Sequence, residues 1–150
     1  MTKLLHGYDV ELIKKIIARA CDPGVKNIAF DGFSGVGGVT RAFEECEGWV
    51  VVACVNHWDK AIETHSRNFP YCLHMLEDFR TADLAVLKYI IDEVRRFNPC
   101  VRVHLHFSLE CTNFSNAKGG LPRDNDSRTL ADFTDRYVIA LNPDVIWVEN

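Results

Sequence analysis

The chain has 150 residues, 47% of them apolar and 25% charged, which fits one globular domain able to bury a core. A net charge of -4 leaves no basic footprint of the kind that marks a self-sufficient nucleic-acid-binding domain. No apolar run approaches the ~18–20 residues of a membrane span, and Asp9 and Glu11 interrupt the start too early for a signal peptide. The six cysteines include no CxxC pair, so the expectation is free thiols in a reduced, cytoplasmic compartment rather than a disulfide framework.

In chain order, the spacing of Val10, Leu12, Ile13, Ile16 and Ile17 predicts a helix over 9–20, ended by Asp22-Pro23-Gly24. A short strand over 27–30 runs into Asp31, and a helix over 40–46 follows a glycine-rich turn. The continuous apolar run 49–55 has the character of a central parallel strand. A helix over 59–68 is closed by Pro70, and a strand over 71–76 follows. Residues 83–97 form an amphipathic helix with Leu84, Leu87, Ile90, Ile91 and Val94 on one face. A strand over 101–107, a polar loop over 108–126, a helix over 127–141 and a strand over 145–148 complete the chain.

Alternating strands and helices predict an α/β fold with a parallel sheet and right-handed crossovers. Ligands bind such sheets at the carboxyl ends of the strands. The segments Asp31 to Gly38, Ser108 to Ser115 and Glu149-Asn150 all lie at such ends, and so face one crevice.

Phe33-x-Gly35-x-Gly37-Gly38 follows a strand and precedes a helix. It has neither the GxGxxG spacing of a dinucleotide site nor the GxxxxGK[ST] of a phosphate loop. From the residues alone it is either a ligand loop or a tight turn. Trp58 is either a stacking platform or ordinary packing, and Asp78 either a ligand contact or a helix cap. A lone cysteine such as Cys111 is usually inert. His104 and His106 share one strand face and lack a third metal ligand, so both read as core or capping histidines and no metal is expected. Lys118 to Arg123 is a basic loop that either closes over nucleic acid or is simply solvated.

Five segments taken in order give a sharper reading. Asp31-Gly32-Phe33-Ser34-Gly35-Val36-Gly37-Gly38, Asn56-His57-Trp58-Asp59, Glu77-Asp78-Phe79, Leu109-Glu110-Cys111-Thr112-Asn113-Phe114-Ser115 with Asp126-Ser127-Arg128-Thr129-Leu130, and Glu149-Asn150 resemble motifs of the cytosine-5 DNA methyltransferases of bacterial or phage type. The resemblance covers residues 31–150. It implies a Rossmann-like S-adenosylmethionine-dependent methyltransferase fold, truncated, with helices on both sheet faces. An N-terminal helical segment, 1–26, would precede an incomplete cofactor-binding and catalytic domain, 27–150, with the target-recognition region beyond Asn150.

The resemblance also implies roles. Asp31, Phe33, Ser34, Gly35, Gly37 and Gly38 would line the methionine end of S-adenosylmethionine, or of S-adenosylhomocysteine after transfer. His57 stands where the family usually holds an acid for the ribose, Trp58 would stack on adenine, and Asp78 with Phe79 would complete the adenine side. Cys111 would be the thiolate that adds to cytosine carbon 6. Glu149 would contact ring nitrogen 3 and the exocyclic amine. Ser115, Arg128 and Asn150 would bind substrate. The family usually has proline and glutamine around its cysteine, where this chain has Glu110 and Thr112. The implied partners are a DNA duplex with a flipped cytosine and a cognate restriction enzyme, in a bacterial cell or phage-infected host. Two alternatives stay open: the transfer-RNA branch of the family, and a non-catalytic cofactor-binding or interaction module.

Overall fold

The computed structural model describes residue 5, residues 7–109 and residues 132–149. The elements are α1 (Val10–Ala20), β1 (Asn27–Gly32), α2 (Gly38–Glu44), β2 (Trp49–Asn56), α3 (Asp59–Asn68), β3 (Leu73–Leu76), α4 (Ala85–Phe97), β4 (Arg102–Ser108), α5 (Thr134–Leu141) and β5 (Val145–Glu149). The five strands form one sheet in the order β3-β2-β1-β4-β5, and every pairing is parallel. The expected parallel α/β sheet with helices on both faces is therefore the fold. The chain winds outward from β1 through β2 to β3, then returns to place β4 on the other side of β1. The boundary between β1 and β4 is the switch point, where crossovers leave in opposite directions and open a crevice.

The two faces differ in depth. Along β1, Ile28 and Phe30 join the large core, whereas Ala29 joins a small one. The large core takes the buried stripes of α1 (Ile13, Ile16, Ala20) and α4 (Val86, Leu87, Ile90, Ile91, Val94), together with Tyr137 and Leu141 of α5. Among the described residues, the small core has only Ala29, Val51, Cys54 and Cys72 fully buried, with Phe43, Trp49, Ile62 and Phe69 packed around them. It lies under α2 and α3. β2 is buried over Val50 to Val55 because helices cover both its faces, which is why its sequence is an unbroken apolar run.

Element ends follow local chemistry. Asp9 caps α1, its Oδ1 accepting from the N–H groups of Glu11 and Leu12 at 3.0 Å each. Asp83 belongs to the turn before α4 rather than to the helix, since its Oδ1 accepts from Ala85 N at 2.9 Å. β3 begins two residues later than the apolar pattern suggests, because Cys72 N donates to Phe69 O and closes a turn at Pro70. Residues 127–131 of the expected helix, and all but Ser108 and Leu109 of the expected polar loop, lie outside the described residues. Among the described residues, no helix is long and apolar enough to cross a membrane.

Candidate cofactor and catalytic crevice

β1 and β4 run side by side with Asp31 opposite His106 and Gly32 opposite Phe107. A Cβ on Gly32 would stand 2.7 Å from the Phe107 ring, so only glycine permits this approach. The chain then turns sharply. Phe33 takes φ 63°, Gly35 φ 52° and Gly37 φ 101°. Phe33 N and Ser34 N both donate to Val55 O, which fastens the loop to the end of β2. Phe33 packs on Phe79 at 4.5 Å between ring centroids, and Phe79 stacks on Tyr137 at 4.2 Å.

Asp31 fixes this loop from beneath. It is fully buried, and its Oδ2 accepts from Thr40 N at 3.1 Å and from Thr40 Oγ1 at 2.7 Å. Its Oδ1 lies 3.1 Å from His106 Nδ1. Both carboxylate oxygens are thus engaged by the protein, and Asp31 ties the start of α2 to β4. Thr40 and His106 are partners that the motif reading did not single out. The alternation of His104 and His106 along β4 is the signal the sequence offers, and His106 is a buried histidine held against Asp31. His104 is held on both sides: its Nε2 lies 3.0 Å from Asn27 Oδ1, and its Nδ1 accepts from Trp147 Nε1 at 3.2 Å.

The other expected cofactor residues fall at the ends of β2 and β3. His57 and Trp58 are exposed, Trp58 to 56%, just before α3. Asp78 is gripped by Arg80, which donates from Nε to both carboxylate oxygens at 3.0 and 3.1 Å and from Nη2 to Oδ2 at 2.6 Å. Those hydrogen bonds hold the Asp78 carboxyl below the usual carboxylate range. Phe79 is 4% exposed and supports Phe33 from below, while its carbonyl accepts from Tyr137 Oη at 2.8 Å. Glu77 is taken by Tyr8 Oη at 3.3 Å and by Asp83 N at 2.8 Å.

Glu149 ends β5 directly opposite Ser108 at the end of β4. Its carbonyl accepts from Leu109 N at 3.1 Å, its carboxylate is largely exposed, and Oε2 lies 3.9 Å from His106 Nε2. The glycine loop and Glu149 therefore share the crevice at the β1–β4 switch point. Cys111, Ser115, Arg128 and Asn150 lie outside the described residues.

No protein-family model matches the chain. The type II methyltransferase M.HgiGI of Herpetosiphon aurantiacus is 31% identical over 123 residues, which are 80% of this chain and 86% of that protein. The chain belongs to the type II methyltransferases. M.HgiDI of the same organism is 30% identical over 123 residues, and the match spans 35% of its length. A solved structure of a DNA modification methyltransferase encoded within an Escherichia coli prophage aligns with a TM-score of 0.57 and 27% identity, over 79% of this chain and 30% of that one. The chain thus spans about a third of these longer relatives.

S-adenosylmethionine is the methyl donor of type II methyltransferases, and the residues present fit it. A side chain at Gly35 would meet nothing within 4 Å, so the loop leaves room above its backbone. Ser34 Oγ is buried without a hydrogen-bond partner among the described residues. Trp58 presents an exposed indole at the next strand end. Phe33, Ser34, Gly35 and Trp58 are the residues that would hold it, with Asp31 and Phe79 packed beneath the loop.

The expectation of no metal rested on His104 and His106, whose ring nitrogens serve Asn27, Trp147 and Asp31. Elsewhere, however, Cys54, His65, Cys72 and His74 do converge. At positions 54, 65, 72 and 74 they show no metal-site spacing in the sequence, and only the β2–α3–β3 crossover brings them together.

Proposed function

We propose that this chain is the cofactor-binding and catalytic part of an enzyme that methylates carbon 5 of cytosine in DNA through a covalent adduct on Cys111. The observation that carries this reading is the pairing of Glu149 with Ser108 at the carboxyl ends of β5 and β4, beside the glycine loop. The segment bearing Cys111 leaves from that same end of β4. The name of the Escherichia coli prophage relative favours DNA as the substrate, and the motif at 109–115 favours cytosine.

The chemistry follows from the residue types. Carbon 5 of cytosine is a weak nucleophile. The Cys111 thiolate adds to carbon 6, which turns the ring into an enamine. Glu149 hydrogen-bonds nitrogen 3 and the amino group, stabilising charge that develops on the ring. The cofactor, when bound, would supply an electrophilic methyl group to carbon 5, its sulfur keeping the electron pair of the broken bond as S-adenosylhomocysteine. A base then removes the carbon 5 proton, the electrons re-form the ring double bond, and the thiolate leaves. The target carbon is buried in duplex DNA, so the base must be flipped out. Soluble action in a bacterial or phage-infected cytoplasm suits such an enzyme.

Full-length protein incubated with cofactor and 5-fluorocytosine duplex DNA tests this. The fluorine cannot leave as a proton does, so the enzyme stays attached. A denaturation-resistant adduct in the wild type and none in Cys111→Ser is expected. An adduct in Cys111→Ser would overturn the reading, and methylation of transfer RNA but not of duplex DNA would replace the substrate.

A further inference from the structure

The small core beneath α2 and α3 has an unusual composition. Two of its four fully buried residues are thiols, Cys54 on β2 and Cys72 just before β3. Beside them lie His65 of α3, which is wholly buried, and His74 of β3. One ligand-type atom from each of the four lies within 4.8 Å of all the others. His65 Nδ1 is 3.6 Å from Cys54 Sγ and 2.9 Å from His74 Nε2.

The hydrogen positions follow from the neighbours. Thr40 has one hydroxyl proton, and Asp31 Oδ2 takes it at 2.7 Å. Towards His65 Nε2, at 2.9 Å, Thr40 Oγ1 therefore presents a lone pair. His65 then carries its N–H on Nε2 and turns the lone pair of Nδ1 into the cluster.

We propose that Cys54, His65, Cys72 and His74 form a tetrahedral structural zinc site. Two thiolates and two neutral imidazoles suit Zn²⁺ in softness and number, and a closed four-ligand set has no open position for catalysis. On binding, each thiol gives its proton to solvent, and Zn²⁺ with two thiolates is electrically neutral, as a buried site requires. Zinc–sulfur bonds of about 2.3 Å and zinc–nitrogen bonds of about 2.0–2.1 Å put sulfur and nitrogen about 3.6 Å apart and the two nitrogens about 3.3 Å apart. The Cys54–His65 separation already matches, and the two imidazoles need to open by a few tenths of an ångström from 2.9 Å. The chain His65 Nε2–H to Thr40 Oγ1 to Asp31 is the outer-shell support that orients a ligating histidine. Cys72 also lines a cleft of about 440 Å³ with Arg19, Arg41, Glu44, Phe69 and Tyr71.

The site would clamp α3 and β3 to β2 on the face where the core is thin. It would also hold the glycine loop, because Gly37 packs so close to His65 that a Cβ there would stand 3.0 Å from the His65 ring.

The test uses the full chain purified under thiol reductant without chelator. Elemental mass spectrometry is expected to find one zinc per chain. The count should fall to near zero in Cys72→Ser and in His74→Gln, and stay at one in Cys100→Ser, whose thiol is exposed. X-ray absorption at the zinc edge of the wild type is expected to show two sulfur and two nitrogen neighbours at about 2.3 and 2.0–2.1 Å. This readout stands even if the variants do not fold. Reduced wild-type protein that holds no zinc and takes up neither zinc nor cobalt overturns the site. So does zinc retained at one per chain in the Cys54→Ser/Cys72→Ser double variant, or a shell without sulfur. No readout involves methyl transfer, so failure here leaves the proposed activity untouched, and the reverse.

Discussion

Asp31 on β1 and His106 on β4 meet across the switch point, Oδ1 to Nδ1, at 3.1 Å. The same carboxylate accepts two hydrogen bonds from Thr40 at the head of α2. One buried side chain thus joins the strand under the glycine loop, the helix after it, and the strand that leads towards Cys111. Replacing Asp31 by Ala would leave the Thr40 amide, the Thr40 hydroxyl and the His106 ring without their acceptor. The expected cost is about 2–4 kcal/mol of stability by denaturant unfolding, with weaker S-adenosylhomocysteine binding. Stability and binding both unchanged would contradict the bracing role.

The glycines of the loop separate two demands. Gly37 has φ 101° and would place a Cβ 2.4 Å from Phe69 Cε2, so Gly37→Ala should destabilise the fold by about 3 kcal/mol. Gly35 has φ 52° and open space around it, so Gly35→Ala should cost about 1 kcal/mol in stability while reducing cofactor affinity. Thermal unfolding and calorimetric titration with S-adenosylhomocysteine, run on both variants, check the contrast. Equal losses of stability would refute it.

Trp58 precedes α3 without a side-chain cap bond and is 56% exposed, so the fold does not depend on its indole. If the ring stacks on adenine, Trp58→Ala should weaken S-adenosylhomocysteine binding about tenfold, the effect of ~1–1.5 kcal/mol of stacking, with an unchanged melting temperature. Unaltered affinity would remove Trp58 from the site.

Acid should loosen the β4–β5 edge. Burial holds His104 below the ordinary imidazole range, with Asp144 opposing and Arg102 adding to that shift. The neutral ring accepts from Trp147 Nε1 at 3.2 Å, and a proton on Nδ1 would set two donors against each other. The folded pKa lies below the unfolded value of about 6.5, so this contribution is complete above that pH and is lost as pH falls through the folded value. The denaturation midpoint should drop on acidification below about 6.5, and less so in His104→Gln. An identical pH profile in the variant would show that other groups are responsible.

Much of the fold was written in local pattern. α3 has the bounds expected from its spacing and from Pro70. The apolar runs became strands, and the stripe of Leu87, Ile90, Ile91 and Val94 became the buried face of α4. The ends were less legible where a side chain competed with the helix, as Asp83 does at Ala85. Motif positions were readable because the strand ends gather them. Their supports were not, since Thr40, His65 and His106 reach their partners only through long-range pairing. The convergence of Cys54, His65, Cys72 and His74 was invisible for the same reason: its spacing belongs to a crossover and not to a motif. The expected roles of Cys111, Ser115, Arg128 and Asn150 rest on the sequence alone.

The most direct measurement is the identity of the methylated base. DNA treated with full-length protein and isotopically labelled S-adenosylmethionine would be digested to nucleosides and resolved by mass spectrometry. The account predicts label in 5-methylcytosine, lost in both Cys111→Ser and Glu149→Ala. Label in N4-methylcytosine or N6-methyladenine would contradict it.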